Sequence, residues 1–160
     1  MPTFNTAIYN AQVATRANPS RLAAPNVASG DVQFAIIPYT LLGTEAAADI
    51  INLCVLPQGV IPVPALSSVT CSADPGTTLT LDIGTAANPD GLADGIVMSN
   101  GGMVHCATAT MPAWLDATPV VPDAGAGTAA LYATVASANT LSTSGVVLHF
   151  CIAYKLGRGN

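Results

Sequence analysis

"TTLTLDI", residues Thr77–Ile83, is the stretch that decides the fold, because it alternates as a β-strand does. Its apolar side chains, Leu79, Leu81 and Ile83, occupy every second position, with threonine and aspartate between them. Successive side chains of a strand point to opposite faces, so this segment presents one apolar and one polar face. The turn at Asp74–Gly76 precedes it, where proline presets φ and glycine supplies conformational freedom. The sequence therefore predicts a half-buried strand here.

Seven further segments are apolar or alternating and are bounded by turn residues, as strands are. They are 31–43, 50–56, a run beginning near Leu66, 95–99, 103–108, 130–137 and 146–155. Pro38 places the first of them at a sheet edge or a bend, because proline cannot donate to a central ladder. Thr44 and Glu45 could open a short helical turn, but no segment keeps a helical period. The sequence predicts an all-β fold, a single β-sandwich or jelly-roll-like domain of about eight strands.

Composition divides the chain into three parts. Residues 1–30 are rich in Ala, Asn and Ser, with three prolines and no strong periodicity, which predicts an extended N-terminal arm. Residues 31–156 hold the predicted strands and are expected to form the β-sandwich domain. Residues 157–160 are expected to be a flexible C-terminal tail.

The chain is poor in charge and rich in apolar residues. Its 160 residues suit one domain, and 51% are hydrophobic while only 8% are charged. A typical soluble domain is about 25% charged. So little charge cannot solvate the whole surface of a monomer, so part of the apolar exterior is expected to be covered by copies of the chain or by a partner.

The charges are also unevenly placed. All nine acidic residues lie in 31–123, and the four basic residues, Arg16, Arg21, Lys155 and Arg158, lie near the two ends. Four cations are too few for the basic patch that nucleic-acid binding needs. They either serve docking or simply fall at exposed, flexible ends.

A membrane is the competing explanation for the apolar character. The most apolar stretch, 50–66, is interrupted by three prolines, a glycine and two amides, whereas a spanning helix needs about 20 mostly apolar residues. The N-terminus lacks the basic start and apolar core of a secretory signal. We therefore expect no membrane partner and a chain that folds in a cytoplasm.

Three carboxylates could in principle bind calcium. Asp82, Asp90 and Asp94 lie among glycines within thirteen positions. The EF-hand spacing is absent, however, and Asp-Gly begins turns readily without any ion. We interpret these aspartates as parts of structural turns between two strands.

The four cysteines show no C-x-x-C pair and are expected to be reduced, buried small hydrophobes. Zinc is the alternative, because Cys106 follows His105, and Cys151 lies two residues after His149 on the same strand face. Alternation along a strand would also place a cysteine and a histidine together without any metal.

No enzyme signature occurs in the sequence: the G-x-S-x-G elbow, the P-loop, H-E-x-x-H and a strand-linked G-x-G-x-x-G are all absent. Asp82 with Asp94 is the one carboxylate pair that a hydrolase could use. Trp114, in MPAWL, could be a sugar-stacking platform, but its apolar neighbours favour a core or subunit contact. No catalytic residue, metal or cofactor is predicted.

Four segments carry a resemblance to a known group of proteins. They are GTEAAADIINLCVLPQGVIPVP at 43–64, SADPGTTLTLDIGTAANPDGLADGIVMS at 72–99, MPAWL at 111–115 and VVLHFCIAYK at 146–155. Together they resemble the small virion structural proteins of tailed bacteriophages, of the head decoration, cement or head-fibre type, over residues 31–156. The resemblance implies a role on the capsid exterior and no catalytic residues.

We therefore hypothesise a capsid decoration or cement subunit that folds in the host cytoplasm, forms a homotrimer and binds the major capsid protein. In this hypothesis the arm spreads over a neighbouring capsid subunit. Its apolar anchors would be Phe4, Ile8 and Tyr9, and its Arg16 and Arg21 would pair with capsid carboxylates. The alternatives are a head-fibre or tail-associated glycan-binding module that uses Trp114 and the 82–94 loop, and a small hydrolase that depends on Asp94.

Overall fold

The computed structural model describes residues 3–6, 32–57, 60–75, 79–98, 101–107, 128–137 and 143–156. In these residues the chain forms ten β-strands and, between the fourth and fifth, a 3₁₀ turn over Pro64–Leu66. The strands are β1 (Thr3–Asn5), β2 (Gln33–Thr40), β3 (Ile50–Pro57), β4 (Val60–Pro62), β5 (Ser68–Cys71), β6 (Leu79–Thr85), β7 (Asn88–Met98), β8 (Gly102–His105), β9 (Thr128–Ser137) and β10 (Val147–Leu156). The all-β prediction is confirmed, and the short strands β1 and β4 are additions to the predicted set.

The strands form two five-stranded sheets. Sheet A has the order β1-β3-β9-β6-β7, and sheet B has the order β2-β10-β5-β8, with β4 also paired to β10. The β1–β3 pairing is parallel, and the other described pairings are antiparallel. The inward side chains of both sheets form one hydrophobic core, with Ile37 and Phe150 from sheet B and Leu81 and Leu131 from sheet A fully buried. Each such side chain contributes roughly 1.5–3 kcal/mol through its burial. A β-sandwich is therefore the observed architecture.

The strand predicted from Thr77–Ile83 is confirmed as β6. Leu79, Leu81 and Ile83 are buried in the core, while Asp82 between them is half-buried on the opposite face. Pro38 lies in β2, which is an edge strand of sheet B, as its missing N–H requires.

The turns predicted around Asp90 and Asp94 are wrong, because both residues lie inside β7. The actual turn is the pair 86–87, since Thr85 pairs with Asn88. The β6–β7 ladder has two register shifts, and the turn-forming residues of β7 lie at these shifts as additional residues without a direct partner in β6. Gly95 adopts a positive φ of 68°, and its N–H donates to the Asp82 carboxylate over 2.8 Å. A strand at the edge of sheet A tolerates these irregularities because its outer side needs no partner.

The start of the predicted arm is a strand of the body. β1 pairs with Ile50–Asn52 of β3, and Phe4 is half-buried against the core. Thr6 is buried, and its hydroxyl donates to the Leu53 carbonyl over 2.6 Å. The prediction of an arm over 1–30 therefore differs from the structure at 3–6, where the chain closes one edge of sheet A.

The loop between β2 and β3 contains no helical turn and is organised by a buried carboxylate. Glu45 is 0% exposed and accepts the N–H groups of Leu42, Gly43 and Thr44 over 2.7, 3.1 and 3.2 Å. The Tyr39 hydroxyl donates to the same carboxylate over 2.9 Å. Burial, followed by this carboxylate, raises the pKa of Tyr39. Glu45 therefore satisfies backbone donors that precede it, instead of beginning a helix.

β10 is the central strand of sheet B and changes partner along its length. It pairs with β5 over Leu148–Cys151 and with β4 over Tyr154–Leu156. Ser67 fills the gap, because its hydroxyl accepts the Ala153 N–H and donates to the Val63 carbonyl, both over 3.0 Å. The Ala153 carbonyl accepts the Val63 N–H over 2.8 Å, so both backbone polar groups of Ala153 have partners where the strand changes.

Candidate functional site on the outer face of sheet B

The outer face of sheet B is built from two cross-strand rows of side chains. Antiparallel pairing places directly opposite residues on the same face of a sheet. One row crosses the sheet as Pro38, His149, Thr70 and Met103, and the next as Ile36, Cys151, Ser68 and His105. Phe34 extends the face along β2, opposite Ala153. We call this surface the outer B face.

Large apolar side chains on the outer B face are exposed. Phe34 is 54%, Ile36 64% and Met103 58% exposed, and they come from the two edge strands β2 and β8. Their inward neighbours already fill the core, so the fold does not require apolar residues at these positions. Covering the exposed half of each side chain would contribute roughly 1 kcal/mol per residue to an association.

The outer face of sheet A has a different character. Tyr132 donates its hydroxyl to the Thr85 carbonyl over 2.7 Å, and the side chains of Asn5 and Asn52 are hydrogen-bonded to each other. Thr80 and Asp82 add further polar groups, and Val97 is the exposed large apolar residue on this sheet among those described. The outer face of sheet A is therefore mainly polar, whereas the outer B face carries exposed apolar side chains on its two edge strands and polar His149, Thr70, Ser68 and His105 among them.

The charged residues of the described strands are also distributed unequally between the two sheets. The acidic residues that lie in described strands are Asp82, Asp90 and Asp94, and all three belong to sheet A. In the described strands of sheet B the charged residue is Lys155, at the end of β10 where it pairs with β4. Lys155 therefore lies at one end of sheet B, and exposed Asp74 follows the end of β5, which pairs with the start of β10.

The aspartates proposed as an alternative ion site do not come together. Among the described residues no group of three or more His, Cys, Asp or Glu side chains is arranged to hold a metal ion. Asp82 instead accepts the Gly95 N–H, which fixes the bulge in β7. Asp82 therefore supports the β6–β7 hairpin, while Asp90 and Asp94 lie within β7 and do not begin its turn.

The described cysteines are free thiols, and Cys54, Cys71 and Cys106 are buried while Cys151 is half-buried. Burial raises the pKa of Cys54 from 9.0 to about 12. Burial, with a smaller effect of Cys151, raises the pKa of Cys106 from 9.0 to about 12. Thiols held in this way stay protonated at neutral pH, so they act as small apolar side chains.

One cleft of about 500 Å³ opens between β1 and the end of β2. Its described lining residues are Thr3, Phe4, Asn5, Thr6, Pro38, Tyr39, Thr40 and Leu42. None of these described residues is a carboxylate, a histidine, a cysteine or a lysine.

The predicted interface residues fall in two groups. Phe4 lies in β1 and packs against the core of its own chain. Ile8, Tyr9, Arg16, Arg21 and Trp114 lie outside the described residues. Phe34 and Ile36 were not among the predicted residues, although β2 carries apolar residues at both odd and even positions, which is the pattern of a strand apolar on both faces.

Comparison with known proteins gives two structural similarities. Neither a protein-family model nor a curated protein sequence matches the chain. A chain in the capsid of Ralstonia phage GP4 is similar over 99% of this chain and 100% of its own length, with a TM-score of 0.66 and 20% identity. A chain of the cyanophage Pam1 capsid asymmetric unit is similar over 85% and 93%, with a TM-score of 0.50 and 25% identity. The fold is therefore one that also occurs in phage capsids.

The described residues contain no helix of the length and apolar character that a membrane span requires.

Proposed function

We propose that this chain is a structural, non-catalytic virion protein: a decoration or cement subunit that binds the exterior of a phage head and stabilises contacts between major-capsid subunits. The observation that carries the proposal is the similarity to a capsid chain over nearly the full length of both. The low content of charged residues, 8%, supports it, because such a surface suits a subunit covered by neighbours.

A homotrimer is part of the proposal. Each contact between a cement protein and the shell can be weak, because once one copy of an oligomer has bound, the other copies bind at a high effective concentration.

The arm is a second part of the proposal. Residues 7–30 would spread over a neighbouring capsid subunit, with Ile8 and Tyr9 as apolar anchors and with Arg16 and Arg21 paired to capsid carboxylates.

The test begins with the mass of the purified protein in solution by analytical ultracentrifugation. Co-sedimentation with empty capsids of the phage that encodes the chain follows, with the bound copies counted per particle. A trimer that saturates capsids at many copies supports the proposal. A monomer that leaves capsids uncovered contradicts it.

An Arg16→Gln, Arg21→Gln double variant tests the arm without removing β1. We expect weaker binding to capsids and a smaller dependence of binding on salt, because two charge contacts are lost. Binding with the salt dependence of the original protein would exclude the two arginines from the contact.

The glycan-binding alternative depends on Trp114, which lies outside the described residues. Loss of glycan binding in a Trp114→Ala variant would favour that alternative.

A further inference from the structure

We infer that the first strand is exchanged between copies of the chain: β1 of one copy pairs with β3 of its neighbour, so that each copy of a homotrimer donates one strand and receives one. The inference rests on the homotrimer of the proposed function and adds to it the segment that joins the copies. Residues 7–30, which the proposed function lays over a capsid subunit, would then run between two copies.

The contacts of β1 are few and come from one short segment. β1 is the edge strand of sheet A and pairs in parallel with Ile50–Asn52 of β3. The Thr6 N–H donates to the Asn52 carbonyl over 3.0 Å, and the Thr6 hydroxyl donates to the Leu53 carbonyl over 2.6 Å. Phe4 is half-buried against the core. We call the surface that holds this segment the β1 site. Because every copy has the same sequence, β1 of a neighbour can make each of these contacts.

The connection that follows β1 is longer than its own body requires. Thr6 lines the same cleft as the end of β2, and β2 begins at Gln33. Strands rise about 3.3 Å per residue and packed sheets lie about 10 Å apart, so the distance from Thr6 to Gln33 is roughly 30 Å. The connecting residues 7–31 can span at most roughly 80–90 Å. A compact chain of this length is roughly 40 Å across, so the connection is long enough to reach the β1 site of a neighbouring copy.

Exchange keeps every contact of β1, so it changes the free energy only through the connection. In dilute solution the connection keeps β1 at a high effective concentration near its own body. In an oligomer the β1 site of a neighbour lies within the same reach, and exchange of an identical element then costs little. Head-to-tail exchange fills every β1 site when the copies form a closed ring, as a homotrimer does.

A pair of surface residues provides the probe of this exchange. Asn5 and Asn52 lie opposite each other in the β1–β3 register, and their exposed side chains are hydrogen-bonded to each other. Adjacent strands are about 4.8 Å apart, which fits the Cα separation of about 4.4–6.8 Å in a disulfide. An Asn5→Cys, Asn52→Cys double variant is treated with oxidised glutathione and its mass is measured under denaturing, non-reducing conditions. We expect covalent dimers and trimers, whereas β1 bound to its own body would give covalent monomers.

A mixture of single variants gives a second readout. Asn5→Cys and Asn52→Cys proteins are unfolded in urea, refolded together and oxidised, so that a disulfide between residues 5 and 52 requires two chains. The matched control is a mixture of Thr80→Cys and Val97→Cys, which are opposite in the β6–β7 hairpin, where the two-residue turn keeps the strands in one chain. We expect at least about fivefold more mixed dimer from the first mixture, because pairing raises the effective concentration of its two thiols. The original protein, oxidised in the same way, measures the contribution of its own four cysteines.

The outcomes separate this inference from the proposed function. A double variant that is a trimer in solution but yields only covalent monomers would overturn the inference and leave the proposed function intact. Equal yields of mixed dimer from the two mixtures would show random collision and would also refute the exchange. If the original protein is a monomer that leaves capsids uncovered, the proposed function and the inference both fail. If it is a monomer that covers capsids, the double variant is oxidised on saturated capsids, where covalent monomers alone would contradict the exchange.

Discussion

Replacing Glu45 by glutamine removes one negative charge and leaves the shape of the side chain nearly unchanged. The carboxylate is fully buried and accepts three backbone N–H groups and the Tyr39 hydroxyl. It therefore holds the connection between β2 of one sheet and β3 of the other. The variant tests whether the hydrogen bonds of this carboxylate stabilise the conformation of the loop.

The cost follows from the hydrogen bonds. Glutamine keeps one oxygen, which can still accept from Leu42 and Tyr39, but its NH₂ group would face the N–H groups of Gly43 and Thr44. A buried donor that loses its partner costs about 1–3 kcal/mol. Since these two donors are only partly buried, we expect the free energy of unfolding to fall by about 2–4 kcal/mol.

The assay is urea unfolding of the free protein at pH 7, with a matched charge control. Asp90→Asn removes the same charge at an exposed position of β7, and we expect it to change the free energy of unfolding by less than about 0.5 kcal/mol. Tyr39→Phe, alone and combined with Glu45→Gln, measures the coupling between the two side chains. A loss below about 1 kcal/mol for Glu45→Gln would show that the loop holds its shape without the carboxylate, and the reasoning would be wrong.

Three other perturbations follow from the structure. Because the pKa values of Cys54 and Cys106 are raised to about 12 in the folded protein, the unfolded chain loses these protons first as pH rises above about 9. Between pH 9 and 10.5 stability should fall by about 1 kcal/mol per pH unit for each thiol, and a Cys54→Val variant should show a slope smaller by that amount in urea titrations over this range. Gly84→Ala should destabilise the protein by about 3 kcal/mol or more, because a Cβ would lie 2.0 Å from the Asn88 carbonyl oxygen, and wild-type thermal stability would contradict the β6–β7 packing. Deleting residues 1–6 should lower the free energy of unfolding by about 2–3 kcal/mol through the loss of β1, whereas an unchanged value would mean that β1 contributes nothing to the body.

The local pattern of apolar and turn-forming residues was sufficient to predict most strands of the sandwich. It was insufficient where contacts with residues distant in sequence determine the backbone conformation. The alternation in β6 and the proline in β2 are read from neighbours in sequence, and both predictions are confirmed. β1 has three residues, and its partner strand begins 47 positions later, so no local period can reveal it. β7 contains proline, glycine and aspartate that ordinarily form turns, and its pairing with β6 depends on the absence of a side chain at Gly84 of β6 and on the bulge at Gly95 of β7.

Candidate sites were harder to predict than strands, because the sequence draws attention to residues with distinctive chemistry. Asp82 and Cys106 stood out for that reason, yet one supports a bulge and the other fills the core. Phe34 and Ile36 have no such distinction, and whether they face the core or solvent depends on which face of β2 meets the other sheet. That choice is made by packing across the sandwich.

The comparison of β2 with β6 shows that folding does not require apolar residues on the outer B face. Both strands bury alternate residues in the same core, and β6 does so with Thr80 and Asp82 on its outer side. Polar residues on the outer side are therefore compatible with a stable strand in this sandwich. Phe34 and Ile36 occupy the equivalent side of β2, where exposure to water forgoes the free energy that burial would release. A surface that covered them would recover that free energy, so the stability of the isolated chain gives no reason for apolar side chains at these two positions.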